Sequence, residues 1–358
     1  MTANDTAIEP RELEPRPVAR RHLLDLTDIS TAELGQILRC ARNLQTSSQR
    51  TDQRLKGKTV AQIFEQPSLR TRVSFEVAIL EMGGHALYLH PAEVGLGRRE
   101  PVVDVARVLS GYVDAVVLRL SSHEVLEQFA AAASVPTING MSDRSHPCQG
   151  ITDVFTIRQL KGPHARIAYV GDGNAVAHAL LLAAAHCGFT ISLACPRGYE
   201  VAEPTIAAAR SLAISAGGSI VTLEDPREAV RDADVTYTAS WRPVGHELER
   251  ERREREFQRY RVDRALLGLA RPDAVVMHDL PARRGEEISA EVLDGARSIV
   301  YQQARNRLPV QKARVLCSCG PDQAARWRKL RRPAHWWRPR LIASAGTLHT
   351  EGPAWTIG

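Results

Sequence analysis

Short apolar runs alternate with amphipathic stretches along most of this chain, a pattern that is typical of an α/β protein. Helical spacing in 31–38 precedes predicted strands near 59–64, 86–89 and 114–118, with helices between them. A second alternation after residue 150 predicts strands near 165–170, 190–194, 219–223, 234–238 and 273–277. Because such alternation favours parallel strands covered by helices, we predict two doubly wound parallel-sheet domains joined by interdomain helices.

One junction between a predicted strand and a predicted helix carries two guanidiniums and two hydroxyls. The apolar run 60–64 ends before Pro67, and the run Ser68-Leu69-Arg70-Thr71-Arg72 begins the next helix, with Ser68 in the capping position. The first N–H groups and the dipole of a helix attract anions, and a guanidinium binds phosphate through two hydrogen bonds. The run therefore predicts a phosphate site, although Ser and Arg at a helix start more often form an ordinary cap with solvated charges.

A glycine pair follows the predicted strand 165–170, in the run Gly171-Asp172-Gly173-Asn174-Ala175-Val176. A glycine pair after a buried strand suggests a dinucleotide-binding turn, but the third glycine of that motif is absent, because Val176 stands in its place. A nicotinamide-dependent enzyme is therefore disfavoured.

Composition narrows the class of protein. The 358 residues allow two or three domains, and 44% hydrophobic residues are enough to form ordinary cores. No apolar stretch approaches membrane-spanning length, and the first residues lack the features of a signal peptide, so we expect a cytoplasmic protein with no membrane partner. The six cysteines have neither the spacing of a disulfide framework nor that of a usual zinc pair, and no metal is predicted.

The net charge of +6 is concentrated at the C-terminal end. Residues 321–358 contain seven Lys and Arg residues against two acidic residues, which accounts for five of the six charges. The same segment contains four of the five tryptophans. Tryptophan among arginines can stack on single-stranded nucleic acid. We favour a poorly packed extension, 316–358, and expect no nucleic-acid partner because the rest of the chain is nearly neutral. The polar, proline-containing residues 1–20 are expected to form a flexible lead.

A second polar segment, His146-Pro147-Cys148-Gln149, precedes a predicted helix. Together with Ser68–Arg72 it resembles the carbamoyl phosphate motifs of the aspartate/ornithine carbamoyltransferase family, and the ornithine branch fits best. Further matches follow in the family's order, namely Gly83-Gly84-His85, Tyr112 to Arg119, Gly171 to Asn174, His278-Asp279-Leu280-Pro281 and Asn306-Arg307. The resemblance implies a carbamoyl phosphate-binding domain at 21–150 and an acceptor-binding domain at 151–315, with a cleft between them.

The resemblance also implies a donor site and its chemistry. Carbamoyl phosphate would be bound by Ser68, Leu69, Arg70, Thr71, Arg119, His146, Gln149 and Arg307. Five of these residues would act in catalysis, namely Arg70, Thr71, Arg119, His146 and Gln149. The leaving phosphate can take the amine proton, so neither a cofactor nor a metal is implied. Taken singly, Arg119 could instead pair with a carboxylate, and His146 could be a core histidine satisfied by backbone.

The acceptor side departs from the ornithine pattern. Positions implied to bind the acceptor are Asn174, Ala175, Ala239, Pro243, Val244, Asp279 and Leu280, and the family has asparagine at Ala175, aspartate at Ala239 and cysteine at Asp279. Without two of these partners, the charged head group of ornithine would be desolvated and unpaired. We therefore expect an acceptor such as an acylated ornithine or a diamino acid in a peptide natural product. Asp279 would face the incoming amine, or else form a salt bridge with Arg283 or Arg284.

Two alternatives remain open at this point. One is an ordinary ornithine carbamoyltransferase that makes citrulline, and the other is a homologue that binds carbamoyl phosphate without catalysis. The family also builds trimers with shared sites, so a homotrimer is expected. The Glu- and Arg-rich run 247–261 predicts a solvated helix, with a lid over the acceptor as the alternative.

Overall fold

Two parallel β-sheets form the frame of the molecule in a computed structural model, which describes residues 22–47, 52–242 and 249–319. The first sheet has the order β2-β1-β3-β4 and the second the order β7-β6-β5-β8-β9. The strands are β1 Thr59–Phe64, β2 His85–Leu89, β3 Ala115–Arg119, β4 Thr137–Met141, β5 Arg166–Val170, β6 Thr190–Ala194, β7 Ser219–Leu223, β8 Val235–Thr238 and β9 Val275–His278. This arrangement confirms the predicted α/β class with two parallel sheets.

Helices connect the strands and link the two sheets. In chain order they are α1 Thr31–Thr46, α2 Leu69–Glu81, α3 Pro91–Val94, α4 Val102–Ser110, α5 His123–Ala132, α6 Pro147–Lys161, α7 Ala175–His186, α8 Glu203–Ala216, α9 Pro226–Val230, α10 Arg250–Phe257, α11 Arg264–Leu267, α12 Ala290–Leu293 and α13 Val300–Cys319. None of the helices in the described ranges is long and apolar enough to cross a membrane.

Strand β4 is the one element of the sheets that the apolar pattern did not predict. It contains Asn139 and Gly140, and both residue types are depleted in strands. Pairing with β3 places it at the edge of the first sheet. The buried Asn139 amide donates to the backbone oxygens of Leu24 and Ser145, at 2.8 and 3.1 Å. Tertiary contacts therefore override the weak strand propensity of this segment.

Helices α6 and α13 join the two halves of the structure. Every residue from Pro147 to Ile157 in α6 is buried, and this helix packs against α7 and α13. Helix α13 crosses back onto α1 and α2 of the first half. It runs to Cys319, four residues into the segment that the sequence analysis assigned to the tail, and Cys317 and Cys319 are buried. The lead 1–20 and residues 320–358 lie outside the described residues.

Candidate functional site

The start of α2 lies where the first sheet ends. Leu69 is the first helical residue, and its side chain is 74% exposed. The group that Leu69 can offer to a ligand is its backbone N–H. Ser68 occupies the N-cap position, but its side chain makes no capping hydrogen bond. The predicted capping position of Ser68 is therefore confirmed, whereas its hydroxyl makes no capping hydrogen bond and leaves the N–H groups at this positive helix end unoccupied.

Two arginine side chains join this helix start to the second half of the molecule. Arg307, from α13, is buried and donates from Nη2 to Thr71 Oγ1 at 2.6 Å. Arg70 donates from Nη2 to the backbone oxygen of Leu280 in the loop after β9. The hydrogen bonds of these two guanidiniums therefore connect the half of the molecule that contains the first sheet with the half that contains the second sheet.

Arg119 completes a group of three guanidiniums. It is the last residue of β3 and lies beside Phe64, the last residue of β1, so the sheet register brings it next to the loop that leads to α2. The pKa values of Arg119 and Arg307 are lowered to about 10, mainly by burial and in part by the positive charge of Arg70, while Asp279 opposes the change. The Nε groups of all three arginines are buried without a hydrogen-bond acceptor among the described residues. Clustered cations with unused donors favour an anionic ligand.

His146 lies at the N-cap of α6, beside these arginines. It is buried, and its pKa lies well below the ordinary value, first because of burial and then because of Arg307, Arg119 and Arg70. The imidazole is therefore neutral at physiological pH. Its Nδ1 atom has no hydrogen-bond partner in the part of the chain that the structure describes, so a core histidine satisfied by backbone is not supported.

Gln149 follows one turn later on α6. Its Nε2 donates to Asp153 Oδ1 at 2.8 Å, and its Oε1 is buried without a partner among the described residues. The sequence analysis did not single out Asp153. The signal that could have found it is a lone carboxylate in the otherwise uncharged run 147–157 of a helix that is buried on all sides.

The positions that the resemblance implies for acceptor binding carry few polar groups that are open to a ligand. Asn174 is the N-cap of α7, where its side chain accepts from the N–H groups of Val176 and Ala177, at 3.0 and 3.3 Å, and donates to the Ser240 oxygen at 3.3 Å. Its hydrogen bonds are thus made with backbone. Ala175 and Ala239 are buried and offer only methyl groups. Pro243 and Val244 lie outside the described residues.

Asp279 lies directly after β9 and faces the cationic cluster. Burial raises its pKa, while His278, Arg70 and Arg307 pull the pKa down. Its Oδ1 is buried without a hydrogen-bond partner among the described residues. Of the two partners considered from sequence, Arg284 binds Asp294 at 2.9 and 2.7 Å, and Arg283 lies 4.0 Å from Glu286. The carboxylate is therefore coupled electrostatically to the arginine cluster.

Buried neighbours that the sequence analysis missed hold the loop that carries Asp279. His278 Nε2 lies 3.2 Å from Glu287 Oε1, and both side chains are fully buried. The Leu280 N–H donates to His278 Nδ1 at 2.8 Å, which fixes the tautomer with the proton on Nε2. This pair keeps the Leu280 oxygen within reach of Arg70.

Helix α10 is solvated on one face, as its charge pattern predicts, but its other face is buried. The exposed residues are Glu251, Arg252, Arg255 and Glu256. Arg253 is buried and its Nη1 donates to Asp172 Oδ2 at 3.1 Å and to the Trp241 oxygen at 2.9 Å. Phe257 from the same helix is also buried and packs against Trp241. The helix is therefore docked on the glycine turn 171–174.

We expect Arg253→Met to lower the free energy of unfolding by about 3 kcal/mol, because it removes a buried cation that pairs with the Asp172 carboxylate at 3.1 Å. Denaturant unfolding measures the change, and hydrogen exchange of α10 reports whether the helix undocks. Arg255→Met is the matched control, since Arg255 is exposed on the same helix. Equal stability of the two variants would contradict a docking role for Arg253.

Comparisons with known proteins cover most of the chain. A family model described as aspartate/ornithine carbamoyltransferase, carbamoyl-P binding domain, matches residues 21–159. A second, described as aspartate/ornithine carbamoyltransferase, Asp/Orn binding domain, matches residues 164–319.

Individual relatives carry the same description. The ornithine carbamoyltransferase of Anoxybacillus flavithermus is 46% identical over 297 residues, which is 82% of this chain and 95% of that protein. The Bacillus subtilis enzyme of the same name is 45% identical over 295 residues, 82% of this chain and 92% of its own. The solved ornithine carbamoyltransferase from Pyrococcus furiosus aligns with a TM-score of 0.82 and 45% identity, covering 84% of this chain and 98% of that one.

Proposed function

This chain belongs to the aspartate/ornithine carbamoyltransferase family, and we propose that it transfers the carbamoyl group of carbamoyl phosphate to the primary amine of an amino-acid-like acceptor. The single observation that supports the donor assignment is the cluster of Arg70, Arg119 and Arg307, whose buried Nε groups have no acceptor among the described residues. A dianionic phosphate supplies the missing acceptors and the missing negative charge.

The reaction needs little beyond positioning and electrostatics. The neutral amine attacks the carbamoyl carbon, a C–N bond forms, and the bond from that carbon to the phosphate oxygen breaks. Arg70, Thr71 and His146 are the groups that stabilise the developing oxyanion, and the departing phosphate takes the amine proton. His146 suits this role as a hydrogen-bond donor because its low pKa keeps it neutral and it does not compete with the arginines for the phosphate charge.

Free ornithine is the first candidate acceptor, and the comparisons support it better than the modified acceptor expected from the sequence. The relatives described above are 45–46% identical to this chain over more than four fifths of its length, and their names specify ornithine. The homotrimer stays a prediction from the family resemblance.

A second candidate is an amine whose α-amino or α-carboxyl group is absent or amidated. The specific observation that favours it is the apolar surface of Ala175 and Ala239, next to an Asn174 whose side chain is occupied by the cap of α7. A free head group placed there would lose its hydration without gaining a partner. This loss of hydration would weaken the binding of ornithine, but an acylated or peptide-bound acceptor has no such head group to desolvate.

Phosphate release from carbamoyl phosphate, measured with a panel of amines, tests both the reaction and the acceptor. We expect turnover with at least one of ornithine, Nα-acetylornithine and a diaminopropionyl peptide. A kcat/KM for ornithine at least 10-fold above the others supports the first candidate and overturns the second; the reverse order does the opposite. Binding of carbamoyl phosphate without turnover of any amine would overturn the proposed reaction and favour a non-catalytic homologue.

A further inference from the structure

Asp153 lies at the centre of a buried polar network one turn behind the donor site. Its Oδ1 accepts from Gln149 Nε2 at 2.8 Å and from Gln303 Nε2 at 2.7 Å, and its Oδ2 accepts from the Tyr237 hydroxyl at 3.1 Å. The three partners come from α6, α13 and β8. Asp153 is fully buried and forms no ion pair with a cation in the part of the chain that the structure describes.

A carboxylate in this position is expensive to bury. Desolvation raises the pKa of Asp153 to about 7, while the hydrogen bonds from Gln149 and Gln303 oppose the rise. An apolar residue would fill the same space between helices at lower cost, because no compensating cation is present. The free-energy cost of burying this carboxylate suggests that Asp153 has a function that an apolar residue could not perform.

The network fixes which way the Gln149 amide points. An ionised carboxylate only accepts hydrogen bonds, so the amide turns its NH₂ group toward Asp153 and its Oε1 away. Both amide donors meet Oδ1, which keeps an acceptor lone pair even when the acid is protonated. The oxygen that is turned away is buried without a partner among the described residues, and an acceptor of this kind favours a ligand that carries a hydrogen-bond donor.

The carbamoyl group supplies that donor. Its NH₂ carries two N–H bonds and its carbonyl oxygen none, so an acceptor oxygen from the protein distinguishes the nitrogen end from the oxygen end. A flipped Gln149 would set its own NH₂ against the carbamoyl NH₂, and two donors would then face each other. The amide polarity of Gln149 thus determines whether the carbamoyl plane binds in the reactive orientation.

A second branch of the network reaches the acceptor loop. Gln303 Oε1 accepts from the His278 N–H at 3.0 Å, while its Nε2 binds Asp153. His278 directly precedes Asp279 and Leu280. The same carboxylate is therefore connected to the amide beside the donor and to the backbone that carries the acceptor-side residues.

We propose that Asp153 is a positioning residue for carbamoyl transfer, which fixes the amide polarity of Gln149 so that Gln149 Oε1 accepts a hydrogen bond from the carbamoyl NH₂ group. The inference rests on the proposed function, because it takes carbamoyl phosphate as the donor. It adds a residue that does not touch the substrate and acts through one that does.

Two variants of Asp153 test the proposal, with the dissociation constants of carbamoyl phosphate and of inorganic phosphate measured for each. Asp153→Asn preserves the shape and keeps an amide oxygen that can accept from both glutamines at the position of Oδ1, so we expect carbamoyl phosphate binding to stay within about 3-fold of the wild-type value. Asp153→Ala removes the acceptor, and we expect about a 10- to 100-fold loss. Inorganic phosphate has no NH₂ group, and its binding should change by less than about 2-fold.

Thr152→Val is the matched control on the same helix. Thr152 is fully buried and its hydroxyl donates to the Cys148 oxygen at 2.7 Å, so the control also removes one buried hydrogen bond. We expect it to leave the ratio of the two dissociation constants at the wild-type value. A similar shift in this control would mean that disturbing α6 suffices and would overturn the proposal.

A double-mutant cycle with Gln149→Leu separates positioning from general support. If Asp153 acts through Gln149, either Asp153 substitution should have no further effect on carbamoyl phosphate binding once Gln149 is replaced. Independent effects, or equal losses for both ligands, would overturn the positioning role. Should Asp153→Ala fail to fold, Asp153→Leu takes its place, because leucine fills the space without an acceptor, and wild-type binding of carbamoyl phosphate by that variant would contradict the proposal. Failure of the wild-type protein to carbamoylate any amine would reject the proposed function instead, while the binding comparison would still report on Asp153.

Discussion

Replacing Arg70 with methionine is expected to lower kcat/KM for carbamoyl transfer by about 10³-fold, because one substitution removes both a phosphate contact and a donor to the developing oxyanion. Arg70 is the member of the cluster that also contacts the acceptor loop, through the Leu280 oxygen. Methionine keeps much of the side-chain volume, so the change tests charge and hydrogen bonding more than packing. Steady-state phosphate release with saturating amine provides the measurement.

Arg72→Met is the matched control for Arg70→Met. Arg72 lies two residues further along α2, where it pairs with Glu76 at 3.0 Å and lies over the Tyr88 ring. Its contacts are local to the surface of the first half, and we expect kcat/KM to stay within about 3-fold of the wild-type value. Equal losses in both variants would show that a general loss of positive charge, and not the geometry at Arg70, controls the rate.

Installing polar partners on the acceptor side is expected to increase activity toward free ornithine. The double substitution Ala175→Asn and Ala239→Asp should raise kcat/KM for ornithine by about 100-fold or more, because hydrogen bonds to charged groups contribute about 1.5–3 kcal/mol each. The gain is expected if no other group of the wild-type protein already binds the head group of ornithine. Nα-acetylornithine, which lacks the free α-ammonium, should gain much less.

Ala239→Asn in place of Ala239→Asp is the control for charge, since it adds nearly the same volume without the carboxylate. We expect this control to give a smaller gain with ornithine. The carboxylate variant should also unfold more easily in the absence of substrate, because Ala239 is buried and the new charge has no partner there until ornithine binds. An unchanged kcat/KM for ornithine in both variants would mean that other groups already bind the head group, which would favour ordinary ornithine chemistry.

The donor side shows how much of a site can be predicted from local sequence. The signals for Arg70, Arg119 and His146 lie where a strand ends or a helix begins, and the structure places all three close enough to alter one another's pKa. Local sequence did not predict the contact between Arg70 and Leu280, because that contact joins residues 210 positions apart. It also did not predict that Ser68 leaves the start of α2 uncapped.

Helix α10 and Asp153 show the opposite case. The charge pattern of α10 favours a solvated helix, yet Arg253 is buried because Asp172, 81 residues earlier, supplies its counter-charge. Asp153 has an acidic side chain in an apolar helix, and its partner Gln303 lies 150 residues away. In both cases the partner that determines the environment of the side chain is distant in sequence. The two residues come together only when distant elements pack against each other.

The amino-acid sequence by itself determined the α/β class, most of the strands and the motifs of a carbamoyl phosphate site, because each of these depends on residues that are close together in the chain. Only the tertiary structure decided that β4 joins the first sheet, that Asp279 shares the electric field of three arginines, and that Gln149 turns its oxygen away from Asp153. The physical reason is that burial and hydrogen-bond partners set the pKa and the orientation of a side chain, and both are defined only when segments far apart in sequence pack together.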